Sequence, residues 1–494
     1  MASYFRELQP YTLEEIARKL SISTEKDKRL LKSKLNSCKY ISKENNKDIY
    51  SIKYVGILIL NKFVLRCYPK YIHNEDINYI SEKFKTIIKV IKKMYNSPSK
   101  IQWGYDSEEG EYNFLSTAIS LLEYYYSYGL YSADYEYFEE NGSGDVSWSE
   151  TLDEEDPLFI NGAPIYPNVI TLETESDYHS VVGAIQKIIL TECSAKLEEY
   201  DLLELFNYPK EELSEYSIKD FGSFEYIVEL LELELTSQFS DSKIRLIRLL
   251  IEYIKNEYLN EDSSVIGLLD HSYYGVNEYW AVWQNVCKEV FPDLLPMTVN
   301  RRKIRDGIKL SSILLSKRTS IDYAVYMGND ILGIIEKPEW HTTNGAIYDS
   351  DTFIPDLICV YMPDITKDST DLKNYCFSIL DAKYYDFEIN EEDGKVCIDG
   401  KLPGLEDIVK QLMYQRVFDD FINCQGYGEK RNVFLTPFDG VTYLFGCVKF
   451  DVLQNMFSGK LNNIEVVKLD ADKMYRFYLN GDKIHDVNTF CNLI

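Results

Sequence analysis

The chain has 494 residues, 45% of them hydrophobic and 14% aromatic, which is too much for one ordinary core, so roughly two to four domains are expected. A net charge of −27 excludes the basic footprint of a protein that grips nucleic acid strongly unaided, although a basic channel on an acidic body, or a basic protein partner, remains compatible with it. No run approaches the ~18 apolar residues of a membrane span, and the ten scattered cysteines with no CxxC pair read as reduced, mostly buried thiols of a cytoplasmic protein.

The start, MASYFRELQPYTLEEIARKL, carries acidic residues and no apolar h-region, so it does not read as a secretory signal. Residues 11–42 are expected to form two or three short helices with Ile16, Leu20, Leu30, Leu31 and Leu35 inward. The stretch 50–71 alternates like a β-hairpin turning near Asn61-Lys62. Helices followed by a hairpin suggest a winged-helix-like entry module, or equally a small packing domain. Residues 76–98 and 112–127 read as helices. Asn141-Gly142 and Ser143-Gly144 then mark turns before a short β segment carrying Trp148.

Residues from Asp177 to Leu259 have helical spacing and read as a bundle-like scaffold. A helix over 276–291 follows, with Trp280 and Trp283 expected in the core. NRRKIRDGIK (300–309) is a cationic cluster in an acidic chain, in which Arg301, Arg302, Lys303 and Arg305 are candidates for DNA contact or for a solvated helix end. Strands are expected in IDYAVYMGNDILGIIEK, TFIPDLICVYM and YCFSILDAKYYDFEI, then a helix in GLEDIVKQLMYQRVFDDFI, then strands near RNVFLTPF and VTYLFGCVKFD. The expected division is an N-terminal module with β segments over 1–170, a helical scaffold over 171–270 and a mixed α/β domain over 271–494.

The chemistry concentrates in that last part. Pro355-Asp356 opens one apolar strand, and Asp381-Ala382-Lys383 ends another. Residues i and i+2 of a strand share a face, so Asp381 and Lys383 stand side by side. If the two strands pair antiparallel, Asp356 and Asp381 meet at one end of the sheet. Two carboxylates and the Ala382 carbonyl would make a hard oxygen site suited to Mg²⁺, and Lys383 could hold a water beside it. The bland alternative is a turn aspartate plus a surface ion pair, worth about 0–1 kcal/mol if exposed. Gln411, Tyr414 and Gln415 follow on a helix, where Lys410 and Arg416 would meet phosphate or simply solvent.

This arrangement resembles the PD-(D/E)XK nuclease fold. Together with YVGILILNKFVLRCYPKY, ENGSGDVSWSETL and INGAPIY, the chain more narrowly resembles the LlaJI-type restriction endonucleases and their relatives, the McrC nuclease subunits. The resemblance implies a bacterial, metal-dependent DNA endonuclease subunit of a phage-defence restriction system. It implies Asp356 and Asp381 as metal ligands, and Asp356, Asp381 and Lys383 as the catalytic residues. It also implies double-stranded DNA as substrate and a McrB-like AAA+ GTPase as partner. GTP would sit on that partner, because this chain has no GxxxxGK[ST] loop. Such nucleases often carry a glutamate on a helix ahead of the core strands. Here Trp283 is followed by Gln284, so either Glu278, near the start of the same helix, takes that role or the site lacks it, and one or two metals remain open. Three rival readings stay open: a non-catalytic adaptor that activates a AAA+ partner, a winged-helix regulator, and a repair nuclease of the same fold.

Overall fold

The computed structural model describes residues 3–44, 47–95, 112–177, 180–259, 272–294, 338–349, 353–364, 366–368, 371–392, 395–456 and 461–484. The cationic cluster at 300–309 and the strand expected over 321–337 lie outside the described residues.

At the N-terminus, β1 (Tyr4–Arg6) precedes two short helices, α1 (Leu13–Lys19) and α2 (Glu25–Ser37). Thr12 and Thr24 cap them, each side chain accepting from the N3 amide, which satisfies a donor that the first turn leaves orphaned. Ile16, Leu31 and Leu35 are buried, with Leu20 and Leu30 packed at the margin, as their spacing suggested. The hairpin is β2 (Val55–Leu60) and β3 (Phe63–Tyr68), and Asn61 turns it with φ 58°. Unlike a half-exposed wing, β2 is buried along its whole length. Leu58 and Leu60 face the small core under α1 and α2, while Val55, Ile57 and Ile59 face the main core.

The helices α3 (Ile77–Tyr95) and α4 (Phe114–Tyr128) follow. They lead into a β module built from β4 (Ala133–Glu140), β5 (Asp145–Val146) and β6 (Ile170–Asp177), ordered β4-β6-β5. Trp148, expected on a strand, instead begins α5 (Trp148–Glu154) and is 58% exposed. The alternation ends at Val146, and Thr151, the residue of that turn that is buried, hydrogen-bonds the Ile170 backbone. Helices α6 (Val181–Glu199), α7 (Phe224–Ser237) and α8 (Asp241–Ile254) form the helical stretch.

Strand β7 (Ser272–Val276) returns to the N-terminal sheet and pairs antiparallel with β2, giving the order β1-β3-β2-β7. Gly56 and Gly275 face each other there with φ of 137° and 155°. A Cβ on Gly56 would sit 2.2 Å from the Tyr274 carbonyl oxygen, so neither position accepts a side chain.

After α9 (Tyr279–Val290) comes the sheet that carries the candidate site. Its strands are β8 (Leu357–Tyr361) and β9 (Cys376–Ala382), separated by α10 (Leu405–Gln425) from β10 (Glu429–Phe438), β11 (Tyr443–Val448) and β12 (Ile464–Asp470). The order is β8-β9-β10-β12-β11, antiparallel at both edges and parallel through β9, β10 and β12. The stretch YCFSILDAKYYDFEI is therefore not one strand. It breaks after Ala382, and Phe387–Glu392 joins a separate hairpin with Lys395–Gly400. β12 and the amphipathic α11 (Ala471–Asn480) were not anticipated.

Ile358, Phe377 and Ile379 face Tyr414, Phe418, Phe421 and Ile422 of α10. Leu357, Cys359, Leu380 and Ala382 face the main core with Trp283 and Val286 of α9. Both faces of β9 are thus covered, which explains why all seven of its residues are buried. Trp280, expected beside Trp283 in the core, is 45% exposed: it lies three positions earlier on α9, in the first turn and about 60° round the helix from the fully buried Trp283. Cys38, Cys67, Cys193, Cys287, Cys359 and Cys376 are buried free thiols, and Cys447 is an exposed one. No described helix is long and apolar enough to cross a membrane.

A buried polar seam joins the N-terminal sheet to this part of the chain. Tyr71 and Tyr279 hydrogen-bond the Tyr475 hydroxyl at 2.7 and 2.9 Å. Glu7 accepts from the Tyr384 hydroxyl and from the Lys70 amide. Burial raises the Glu7 carboxyl above its ordinary range, against the lowering effect of Tyr384 and Lys70. Its neutral form is the one folding favours, so its stabilising contribution is present at low pH and is lost as pH rises through the raised value. Glu7→Gln keeps an acceptor for Tyr384 without the charge. In thermal melts between about pH 4 and pH 8, this variant is expected to gain stability relative to wild type as pH rises. A difference that stays constant with pH would refute this.

Candidate active site

Strands β8 and β9 pair with Leu357 opposite Leu380, which puts Asp356 and Asp381 at the same end of the pair. The Asp356 carboxylate is fixed from two sides: Oδ2 accepts from the Ala382 N–H at 3.0 Å, and Oδ1 accepts from Nε2 of Gln284 on α9. Asp381 is 3% exposed, and its Oδ2 lies 3.0 Å from Lys383 Nζ. Burial, followed by the adjacent Asp356 carboxyl, pushes Asp381 well above the usual carboxylate range, while Lys383 works in the opposite direction. All three expected residues therefore meet at one point.

Lys383 is not a free surface ammonium. Its Nζ also lies 2.9 Å from Asp407 Oδ1, in the first turn of α10, and its side chain is 16% exposed. Burial lowers the affinity of this amine for its proton, but Asp381 and Asp407 more than offset that, so its pKa is raised. Burial alone would raise Asp407, yet hydrogen bonds from Tyr385 and Lys383 hold it below its ordinary value. Tyr385, whose hydroxyl donates to Asp407 at 2.7 Å, is pushed up to about 12 by burial and by that carboxylate. Tyr414 closes the α10 side; its phenol is raised by burial and then by Asp381 and Asp356.

The two glutamines on α10 do other work. Gln411 Nε2 donates to the Asn432 side chain at 2.6 Å and to the Ile379 carbonyl at 3.3 Å. Gln415 Oε1 accepts from Asn432 and from the Asn462 amide. Both clamp α10 to the sheet. Lys410 is exposed on the outer face, its ammonium 5.7 Å from the centre of the Tyr414 ring. Glu278 sits exposed at the N-cap of α9, and it is Gln284, in the buried part of that helix, that reaches Asp356. A neutral amide thus stands where a third carboxylate was sought. The sequence signal for Gln284 was its place beside Trp283. Asp407 had only the weak signal of an acid in a first helical turn.

Among the described residues, no group of three or more His, Cys, Asp or Glu side chains is placed to hold a metal. Two adjacent carboxylates suit a hard cation such as Mg²⁺, which commonly takes one or two protein carboxylates and fills its remaining positions with waters and substrate oxygens. The raised Asp381 carboxyl is the electrostatic counterpart, since a cation between the two acids would offset both the burial and the Asp356 repulsion that raise it. The residues present fit such an ion.

The profile of the LlaJI restriction endonuclease family matches residues 54–302 and 327–472. The chain belongs to this family. It is also 25% identical over 488 residues to the "Type II restriction enzyme BsuMI component YdjA" of Bacillus subtilis strain 168, covering 97% of this chain and 90% of that protein. Among solved structures, it resembles a chain from the half-complex of Thermococcus gammatolerans McrB AAA+ hexamers with bound McrC. That likeness has 12% identity and a TM-score of 0.34, covering 97% of this chain and 99% of that one. Family membership places the protein among the LlaJI restriction endonucleases.

Proposed function

We propose that the protein is the nuclease subunit of a restriction system, hydrolysing DNA phosphodiesters at a PD-(D/E)XK-type site formed by Asp356, Asp381 and Lys383. One observation carries this reading: two aspartates from antiparallel strands converge, with a paired lysine, at the end of a buried sheet. The order helix, two antiparallel strands, helix, parallel strand from α9 to β10 supports the fold assignment.

Asp356 and Asp381 would hold Mg²⁺, which when bound lowers the pKa of a water and neutralises charge developing on phosphate. The protein supplies the placement. Gln284 and the Ala382 amide fix the rotation of the Asp356 carboxylate, and the Lys383 ammonium holds a water or phosphate oxygen in line. The buried strand ends make that geometry rigid. The expected result is cutting of supercoiled plasmid that requires Mg²⁺ and stops with a chelator. Cutting that survives chelation would contradict the metal-dependent reading.

The second half of the proposal is a AAA+ GTPase partner. Residues 101–186 contain no lysine or arginine. Within them, the β4–β6 module exposes Trp148, Leu152, Phe138, Leu158 and Phe159 alongside Glu136, Glu139 and Asp145. Such a surface repels DNA and complements a basic, partly apolar protein face. On α2, which would have to enter a groove in a winged-helix regulator, Lys28 and Lys32 are engaged by Glu14 and Asp48 at 2.9 and 2.6 Å. DNA would instead be delivered by the motor. A folded Trp148→Ala protein is expected to bind its co-encoded GTPase at least ~10-fold more weakly, as loss of a buried aromatic anchor commonly does. Normal copurification would remove this module from the interface.

A further inference from the structure

Lys383 has two carboxylate partners, and only one of them belongs to the proposed metal pair. The other, Asp407, is more firmly held than a surface acid has reason to be. Its Oδ1 meets Lys383 Nζ at 2.9 Å, while Oδ2 accepts from the Tyr385 hydroxyl at 2.7 Å and from the Gly404 N–H at 3.3 Å. These donors come from the segment after β9 and from the loop that starts α10. Asp407 also lies in the first turn of α10, where the helix end favours an anion.

We infer that Asp407 is the positioning residue of this site, the anchor that keeps the Lys383 ammonium in place when Asp381 turns its oxygens to a cation. The inference rests on the nuclease reading above. A divalent cation at Asp356 and Asp381 attracts the lone pairs that Lys383 now shares and repels its positive charge at a distance of a few ångströms. A lysine held by Asp381 alone would then swing toward solvent, because its long stem recovers rotamer freedom there. The contact with Asp407 involves neither metal ligand, so it persists. Asp381, Lys383 and Tyr385 follow one another at spacing two, and a single aspartate on the facing helix engages the last two. Asp407 thereby acts on the reaction through Lys383 and touches neither substrate nor metal.

The test is single-turnover cleavage of plasmid DNA by the full chain with its partner, at varied Mg²⁺ and DNA. Asp407→Asn, shown to be folded by its thermal melt, is expected to cleave about 10- to 100-fold more slowly, the usual cost of losing an orienting partner. Its half-saturating Mg²⁺ and DNA concentrations should stay within about twofold of wild type, and Asp407→Glu should recover most of the rate. Tyr385→Phe, which removes one donor from Asp407 and leaves the charge, should slow cleavage by about 3-fold. Should Asp407→Asn fail to fold, Tyr385→Phe carries the test, and an unchanged rate there overturns the inference. A loss that appears as weaker Mg²⁺ or DNA binding overturns it as well. Lys383→Ala, run in parallel, separates the two readings. If it is inactive while Asp407→Asn cuts normally, only the anchor falls. If Lys383→Ala itself cuts normally, the role of that lysine in the nuclease reading fails.

Discussion

Asp381→Asn is expected to reduce DNA cleavage by roughly a thousandfold or more, while the protein melts no lower than wild type. The two effects have one cause. A buried carboxylate beside Asp356 is electrostatically unfavourable without a cation, and burial and Asp356 both push its proton affinity up. The amide removes the charge, keeps an acceptor for Lys383 and supplies a donor toward Asp356. Lys383 retains Asp407 as a counter-ion, so no buried ammonium is left unpaired. What is lost is half of the anionic pair that would hold Mg²⁺, whose charge stabilisation is worth several kcal/mol, or about three powers of ten in rate. A variant that loses cleavage together with its fold would point to a structural ion pair instead.

Trp283→Ala should carry the largest stability cost, roughly 3–5 kcal/mol, the range for emptying a buried tryptophan site. The ring is fully buried against Tyr475, and its Nε1 donates to the Leu435 carbonyl at 3.0 Å. That carbonyl also receives the Lys383 backbone N–H at 2.9 Å. The indole therefore braces the strand end that displays Asp381 and Lys383, and its neighbour Gln284 holds Asp356. Cleavage is expected to fall even at temperatures where the variant remains folded. Chemical denaturation combined with a cleavage assay at low temperature reads both effects, and a variant of normal stability would contradict this packing role.

The convergence of Asp356, Asp381 and Lys383 was legible because strand geometry is local. An apolar run ending in Asp-Ala-Lys leaves two polar side chains on one face, whatever the rest of the chain does. The antiparallel partner of β9 was legible for a similar reason, since Pro355-Asp356 opens the next apolar run upstream. What sequence did not disclose depends on tertiary neighbours. Gln284 and Asp407 stand 72 and 24 residues from their partners Asp356 and Lys383, respectively, and their roles arise only once α9 and α10 pack on opposite faces of the sheet. Trp280 and Trp283 look alike in a pattern of apolar letters, yet three helical positions of difference send one to solvent and the other into the core. β12 escaped notice because it slots between β10 and β11, an order that the sequence of turns does not announce. β7 likewise joins β2 from more than two hundred residues away, through a pair of facing glycines.

The most direct test of the central claim compares wild type with a folded Asp356→Ala protein on supercoiled plasmid, with Mg²⁺, the co-encoded GTPase and GTP. Cleavage and stimulation of GTP hydrolysis would be read in the same reaction. Cutting is expected to vanish while stimulation persists, because in the proposed function Asp356 would serve the nuclease site and the β4–β6 module the partner. Equal cutting by both proteins would mean that Asp356, Asp381 and Lys383 form only a structural ion cluster, and that the bond is broken elsewhere.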